Sequence, residues 1–140
     1  MDRMRTDRRA RRRGAMLAEA AIVFPILLMI TLGAIKYGWL FLRAQEITNT
    51  ARQAARLAIL PDSTLSQVET AIDAYMTRAG MSAYTVDPPL TSVAGPTVTV
   101  GIRVDPNTVD LIPGYLPNPG SLYASVTMAK EGVPAWPTTP

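Results

Sequence analysis

Residues 11–42 read RRRGAMLAEAAIVFPILLMITLGAIKYGWLFL, and this stretch decides the architecture. Three arginines and Gly14 precede a lead-in of small and apolar residues, a single carboxylate at Glu19, and an apolar run from Ala20 to Leu42 whose one charge is Lys36. At about 1.5 Å per residue a helical run of this length extends about 34 Å, enough to cross a bilayer core. It is too long for a secretory h-region of roughly 7 to 15 residues. A carboxylate in such a span is costly, roughly 2.5 to 3.5 kcal/mol for a charged group at the helix centre and less toward an end. Glu19 therefore needs a compensating group. Cutting after Gly14 would create one, a free amine at Ala15, and would make Glu19 the fifth residue of the shortened chain.

These residues carry a family resemblance. Gly14, four small or apolar residues and Glu19 look like the prepilin peptidase site of type IV-like pilins. The longer pattern Glu19-Ala-Ala-Ile-Val-Phe-Pro25-Ile-Leu-Leu, then Gly33, Tyr37-Gly38 and Thr48-Asn-Thr-Ala-Arg52-Gln-Ala-Ala-Arg56-Leu-Ala, resembles the TadE-like pseudopilins of the tight-adherence (Flp) pilus machinery of bacteria. The resemblance covers about residues 13 to 60. It implies processing at Gly14, Ala15 and Glu19 by a prepilin peptidase. Its implied partners are other pilin or pseudopilin subunits and the Tad assembly machinery, and its implied place is the bacterial inner membrane, with possible incorporation into a pilus.

Toward the amino terminus, residues 1–14 hold seven arginines against Asp2 and Asp7. The arm thus carries +5 of a chain total of +3, which leaves the remainder at −2. The mean hydropathy of +0.12 and pI of about 9.6 hide this partition. Arginines without interleaved aromatics, directly before a span, read as a cytoplasmic topology signal under the positive-inside rule. Contact with anionic lipid headgroups can accompany that role. Nucleic-acid binding and twin-arginine export fit less well, the latter because no short h-region and cleavage site follow.

Within the span, Lys36 is placed to snorkel toward the outer headgroups, among Tyr37, Trp39 and Phe41 as an interfacial belt. Pro25 removes a helix hydrogen bond to the Ala21 carbonyl, which a tolerated kink, neighbouring subunits or local unwinding can accommodate. Ala34 and Gly38, four apart, permit close helix approach. Pro25, Ala34 and Gly38 join Glu19 as candidate subunit-packing positions in the membrane.

Beyond the span, residues 39–60 contain neither glycine nor proline. Ile47, Ala51, Ala54 and Ala58 form an apolar stripe, so one helix should run from the membrane into an outer domain. Arg52 and Arg56 lie elsewhere on that helix, as a solvated face or a partner face. Pro61 ends it, and Thr64-x-x-Gln67 predicts a capping box for a second helix with Leu65, Val68, Ile72, Tyr75, Met76 and Ala79 on its apolar face and Gly80 as its stop. From Met81 the period changes to two. Strands are expected at Thr97–Val104 and Ser121–Met128, with a shorter one at Ser82–Asp87 before Pro88-Pro89. Ten of the twelve prolines lie from Pro88 onward. The loop 106–120 is the best place there for partner contacts.

The expected fold is α+β and pilin-like: a long amino-terminal transmembrane helix continuing into a small periplasmic domain with a second helix and a two- to three-stranded antiparallel sheet. The expected division is a basic cytoplasmic leader (1–14), a transmembrane helix (15–42), a periplasmic domain (43–133) and a loose tail (134–140).

The chain has no cysteine and no histidine, which removes thiol chemistry, the commonest general base and the commonest metal ligand. There is no nucleophile elbow or phosphate-binding glycine loop. Asp105, Asn107 and Asp110 do not follow calcium-loop spacing. The sequence thus predicts no enzyme, no cofactor, no metal and no nucleic-acid partner. The rival to a processed pseudopilin is an uncleaved single-pass anchor whose outer domain binds a partner in the cell envelope.

Overall fold

The computed structural model describes residues 3–90, 93 and 95–130, with side chains described from Met16 onward. Its elements are α1 (Arg3–Ala58), α2 (Leu65–Arg78), β1 (Tyr84–Val86), β2 (Thr97–Val104), a 3₁₀ turn (Pro106–Thr108) and β3 (Leu122–Ala129). The fold is α+β with a candidate membrane-spanning helix, as the sequence predicts. The expected tail 134–140 lies outside the described residues.

The chain divides into two units, Met1–Tyr37 and Gly38–Pro140. In the first, α1 runs unbroken through Pro25. Every residue from Met16 to Thr31 is exposed, including Leu17 at 72% and Phe24 at 64%. The Thr31 hydroxyl donates to the Leu27 carbonyl at 2.8 Å, so its polar group is satisfied within the helix and is no obstacle to an apolar surrounding.

The second unit has a core. Ile47, Ala51, Ala54, Ala55 and Ala58 of α1 are buried together with Val68, Ile72 and Met76 of α2, Met81, alternate residues of β2 and Leu122. The alanines are fully enclosed because a methyl side chain lets neighbouring elements approach closely. The buried Thr50 hydroxyl donates to the Glu46 carbonyl at 3.0 Å.

Local chemistry sets the boundaries. α1 ends at Ala58, two residues before the expected Leu60, as Leu60 N–H donates to Leu57 in a tightened turn. Ser63 Oγ then donates to the Ala58 carbonyl at 2.9 Å. α2 opens on the predicted capping box, with Thr64 Oγ1 accepting from Gln67 N and Gln67 Oε1 accepting from Thr64 N. It closes with Gly80 at φ +70, where Gly80 N–H donates to Thr77 and Met81 N–H donates to Met76. This is a Schellman motif, and its flanking methionines, 76 and 81, are both core residues.

The sheet is antiparallel in the order β1-β2-β3, with Val104 opposite both Tyr84 and Leu122. Val98, Val100, Ile102 and Val104 face the core as their alternation predicts. β1 is shorter than the expected Ser82–Asp87, covering Tyr84–Val86. Just past β1 the register continues to Gly101: Asp87 N–H donates to the Gly101 carbonyl at 3.0 Å, and a Cβ on Gly101 would overlap the Asp87 carbonyl. Glycine in mid-strand marks this close approach of backbone to backbone. The Asp87–Pro88 peptide bond is cis.

Candidate functional site

The feature with the clearest functional content is α1 itself. Its first described surface, Met16–Thr31, is apolar nearly all round and exposed all round, whereas a helix packed on a core shows one apolar stripe. Glu19 is an exposed carboxylate within this surface. Gly14 and Ala15 lie within the helical assignment, so the bond between them is in helix rather than in a loop. Ala34 and Gly38 are both exposed, and no atom lies within 4 Å of a Cβ built on Gly38. That leaves room for another helix to approach.

Lys36 departs from expectation. It is fully buried, at 0% exposure, rather than extended into solvent. The belt expected around it is also divided in use. Tyr37 and Phe41 are exposed, but Trp39 is half-buried and its indole N–H donates to the Val109 carbonyl at 2.8 Å. One turn on, the Arg43 guanidinium lies over the Trp39 ring, 4.3 Å from its centroid. Arg43 Nη1 donates to the Ala79 carbonyl at 2.6 Å and to Glu46 Oε2 at 2.7 Å. A cation at the last carbonyls of α2 also complements that helix's dipole. Trp39 and Arg43 thus tie the start of the second unit to the loop after β2 and to the end of α2. Sequence reasoning assigned Trp39 to the membrane boundary and Arg43 to no role, because both partners are backbone carbonyls with no sequence signature.

The loop 106–120 is held by its own polar groups. Asp105 Oδ1 accepts from Asn107 N–H at 2.9 Å and from its side-chain amide at 2.8 Å. Asn118 Nδ2 donates to Asn107 Oδ1 and to Asp110 Oδ2, each at 2.9 Å. Turn chemistry therefore accounts for the acidic residues there. Among the described residues no cluster of histidine, cysteine or carboxylate side chains could hold a metal.

An open cleft of about 440 Å³ lies beside this loop, lined by Tyr84, Thr85, Arg103, Asp105, Thr108 and Ser121 among others. Its arginine is committed. Arg103 Nε and Nη2 donate to Asp87 Oδ2 at 3.0 and 2.7 Å, Nη1 donates to Ser121, and the guanidinium lies over Tyr123. Tyr123 OH donates to the Asp87 carbonyl, completing a clasp around the close approach at Gly101. Gly101 was the one sequence signal for this clasp, a glycine inside an otherwise regular alternation, and the alternation alone did not reveal it.

On the α2 side of β1, the Tyr84 phenol donates to Asp73 Oδ1 at 3.3 Å. Partial burial pushes its pKa above the ordinary value, and the carboxylates of Asp73 and Glu69 add to the rise. Arg52 and Arg56 are exposed on α1.

An α+β unit led by a long, exposed, apolar helix near the amino terminus fits a single-pass membrane protein. Residues 14–56 match the family model described as TadE-like protein. Over these residues, from the glycine before the span to the last turn of α1, the chain is similar to TadE-like proteins, and the match is consistent with a TadE-like protein of the Tad pilus system. No curated protein and no solved structure matches the chain.

Proposed function

We propose that this chain is a pseudopilin of a Flp/Tad-type pilus, made as a precursor, inserted with its arginine arm in the cytoplasm, and cut between Gly14 and Ala15 by a prepilin peptidase. In this reading residues 1–14 are the leader, 15–42 the span and 43–133 the periplasmic domain. One observation carries it: the TadE-like match begins at Gly14 and covers a helix whose apolar residues 16–31 are all exposed and interrupted by a single carboxylate. Such a surface is stable in lipid or against like helices, not in water.

Glu19 of one subunit pairs with the Ala15 amine of a neighbour as spans leave lipid for one another. Deleting one partner of a desolvated ion pair costs roughly 3 to 5 kcal/mol even where the net gain of the pair is small, so the pair chiefly sets register. Ala34 and Gly38 supply close approach, and Pro25 frees a carbonyl that a neighbour satisfies. Gly14 has a second use. Because the Gly14–Ala15 bond lies in helix, the peptidase must open a turn, and glycine lowers helix stability by about 1 kcal/mol relative to alanine at that point.

Intact mass of the protein extracted from its native membrane tests the reading. A start at Ala15, lost in Gly14→Ala, is the expected result. A start at Met1 defeats processing and leaves the single-pass anchor. Glu19→Ala should still be cut, yet fail to co-purify with pilus components.

A further inference from the structure

The second unit carries two charge pairs of opposite sign with the same spacing. Arg52 and Arg56 stand four residues apart on α1, exposed, on the side turned away from the buried Ala51, Ala54, Ala55 and Ala58. Glu69 and Asp73 stand four apart on α2, also exposed, on the flank that meets Tyr84. Four helical residues span about 6 Å along the axis, so the two pairs match in length. Neither arginine has an ion pair with a carboxylate of its own chain among the described residues, whereas Arg43 and Arg103 do. Among the described residues Asp73 accepts from the Tyr84 phenol at 3.3 Å, a neutral donor that leaves its charge without a cation.

We infer that the basic pair Arg52/Arg56 of one copy docks on the acidic pair Glu69/Asp73 of a second copy of this chain. The two patches lie on different helices, α1 and α2, so each copy offers a basic patch to a neighbour and an acidic patch in return. Anionic lipid is the weaker occupant for the arginines. With the span ending at Leu42, Arg52 lies about 15 Å farther along the helix, beyond a headgroup layer of about 5 to 8 Å. Exposed ion pairs are individually weak and screened by salt, so the contact acts as a register between copies already concentrated in one membrane, not as a solution dimer. The inference rests on the proposed function only for placing those copies in one membrane.

Charge exchange tests it. The full chain, labelled with donor or acceptor dye, is reconstituted in phosphatidylcholine vesicles, and energy transfer between copies is read at low salt. Arg52→Glu/Arg56→Glu alone and Glu69→Arg/Asp73→Arg alone should each lower transfer at least twofold. Mixing the two variants, or combining all four substitutions in one chain, should restore it, and added salt should lower it in the wild type. Unchanged thermal unfolding of each variant shows that the fold persists. Equal transfer in wild type and both variants, or loss without restoration on mixing, overturns the inference. Intact mass of native protein decides the pilin reading separately: a chain retaining Met1 with full restoration sinks that reading and keeps this one, and a chain starting at Ala15 without restoration does the reverse.

Discussion

The two halves of α1 share one backbone conformation and meet opposite surroundings. From Met16 to Thr31 every side chain is exposed, and large apolar residues occupy all sides. From Ile47 to Ala58 only one face is buried, and it is built mainly of alanine. Helix formation depends on local hydrogen bonds and is indifferent to this contrast; what differs is the solvent each half requires. The first half suits a medium that is apolar all round. The second suits a core on one side and water on the other, and its small side chains let that core close tightly.

The same substitution made in both halves tests this contrast most severely. Ile47→Asp buries a carboxylate at a site of 1% exposure and should cost the outer unit about 4 kcal/mol or more, read as loss of its cooperative unfolding transition in detergent. Leu28→Asp should leave that transition in place and instead weaken membrane insertion by about 2.5 to 3.5 kcal/mol, read in a translocation assay. Equal effects on unfolding would erase the distinction between the halves. Gly101→Ala sharpens it from the sheet side. Overlap with the Asp87 carbonyl should destabilise the outer unit by about 3 kcal/mol without affecting insertion, checked by denaturant unfolding followed through Trp39.

The smallest effect concerns pH. The Tyr84 phenol has a raised pKa in the fold, so folding favours its protonated form. Its contribution to stability is fully present below the ordinary value of 10.0 and is lost as pH rises through the folded value. Asp73→Asn should bring the phenol back toward the ordinary value, visible as an earlier tyrosinate absorbance rise on alkaline titration.

Much of this was readable residue by residue. The capping box at Thr64 and Gln67, the stop at Gly80 and the alternation of Val98, Val100, Ile102 and Val104 depend on neighbours within a few positions, and they stand as the sequence predicts. Lys36 and Trp39 do not. Composition placed both at a membrane boundary, but Lys36 is enclosed and Trp39 is spent on a carbonyl 70 residues away. The candidate site divides in the same way. The match from Gly14 to Arg56 rests on local pattern, whereas the clasp at Gly101 joins Asp87, Arg103 and Tyr123 from three strands or strand ends.

By itself, then, the sequence determined the apolar span, its lone carboxylate, the order of helices and strands, and where α2 starts and stops, because period, capping and hydropathy act over one or two turns. Only the tertiary structure decided that the Asp87 carbonyl lies against Gly101, that Arg43 reaches the Ala79 carbonyl, and that Arg52 and Arg56 find no carboxylate among the described residues of their own chain. Those outcomes depend on which distant segments come within a few ångströms, and local pattern carries no information about that distance.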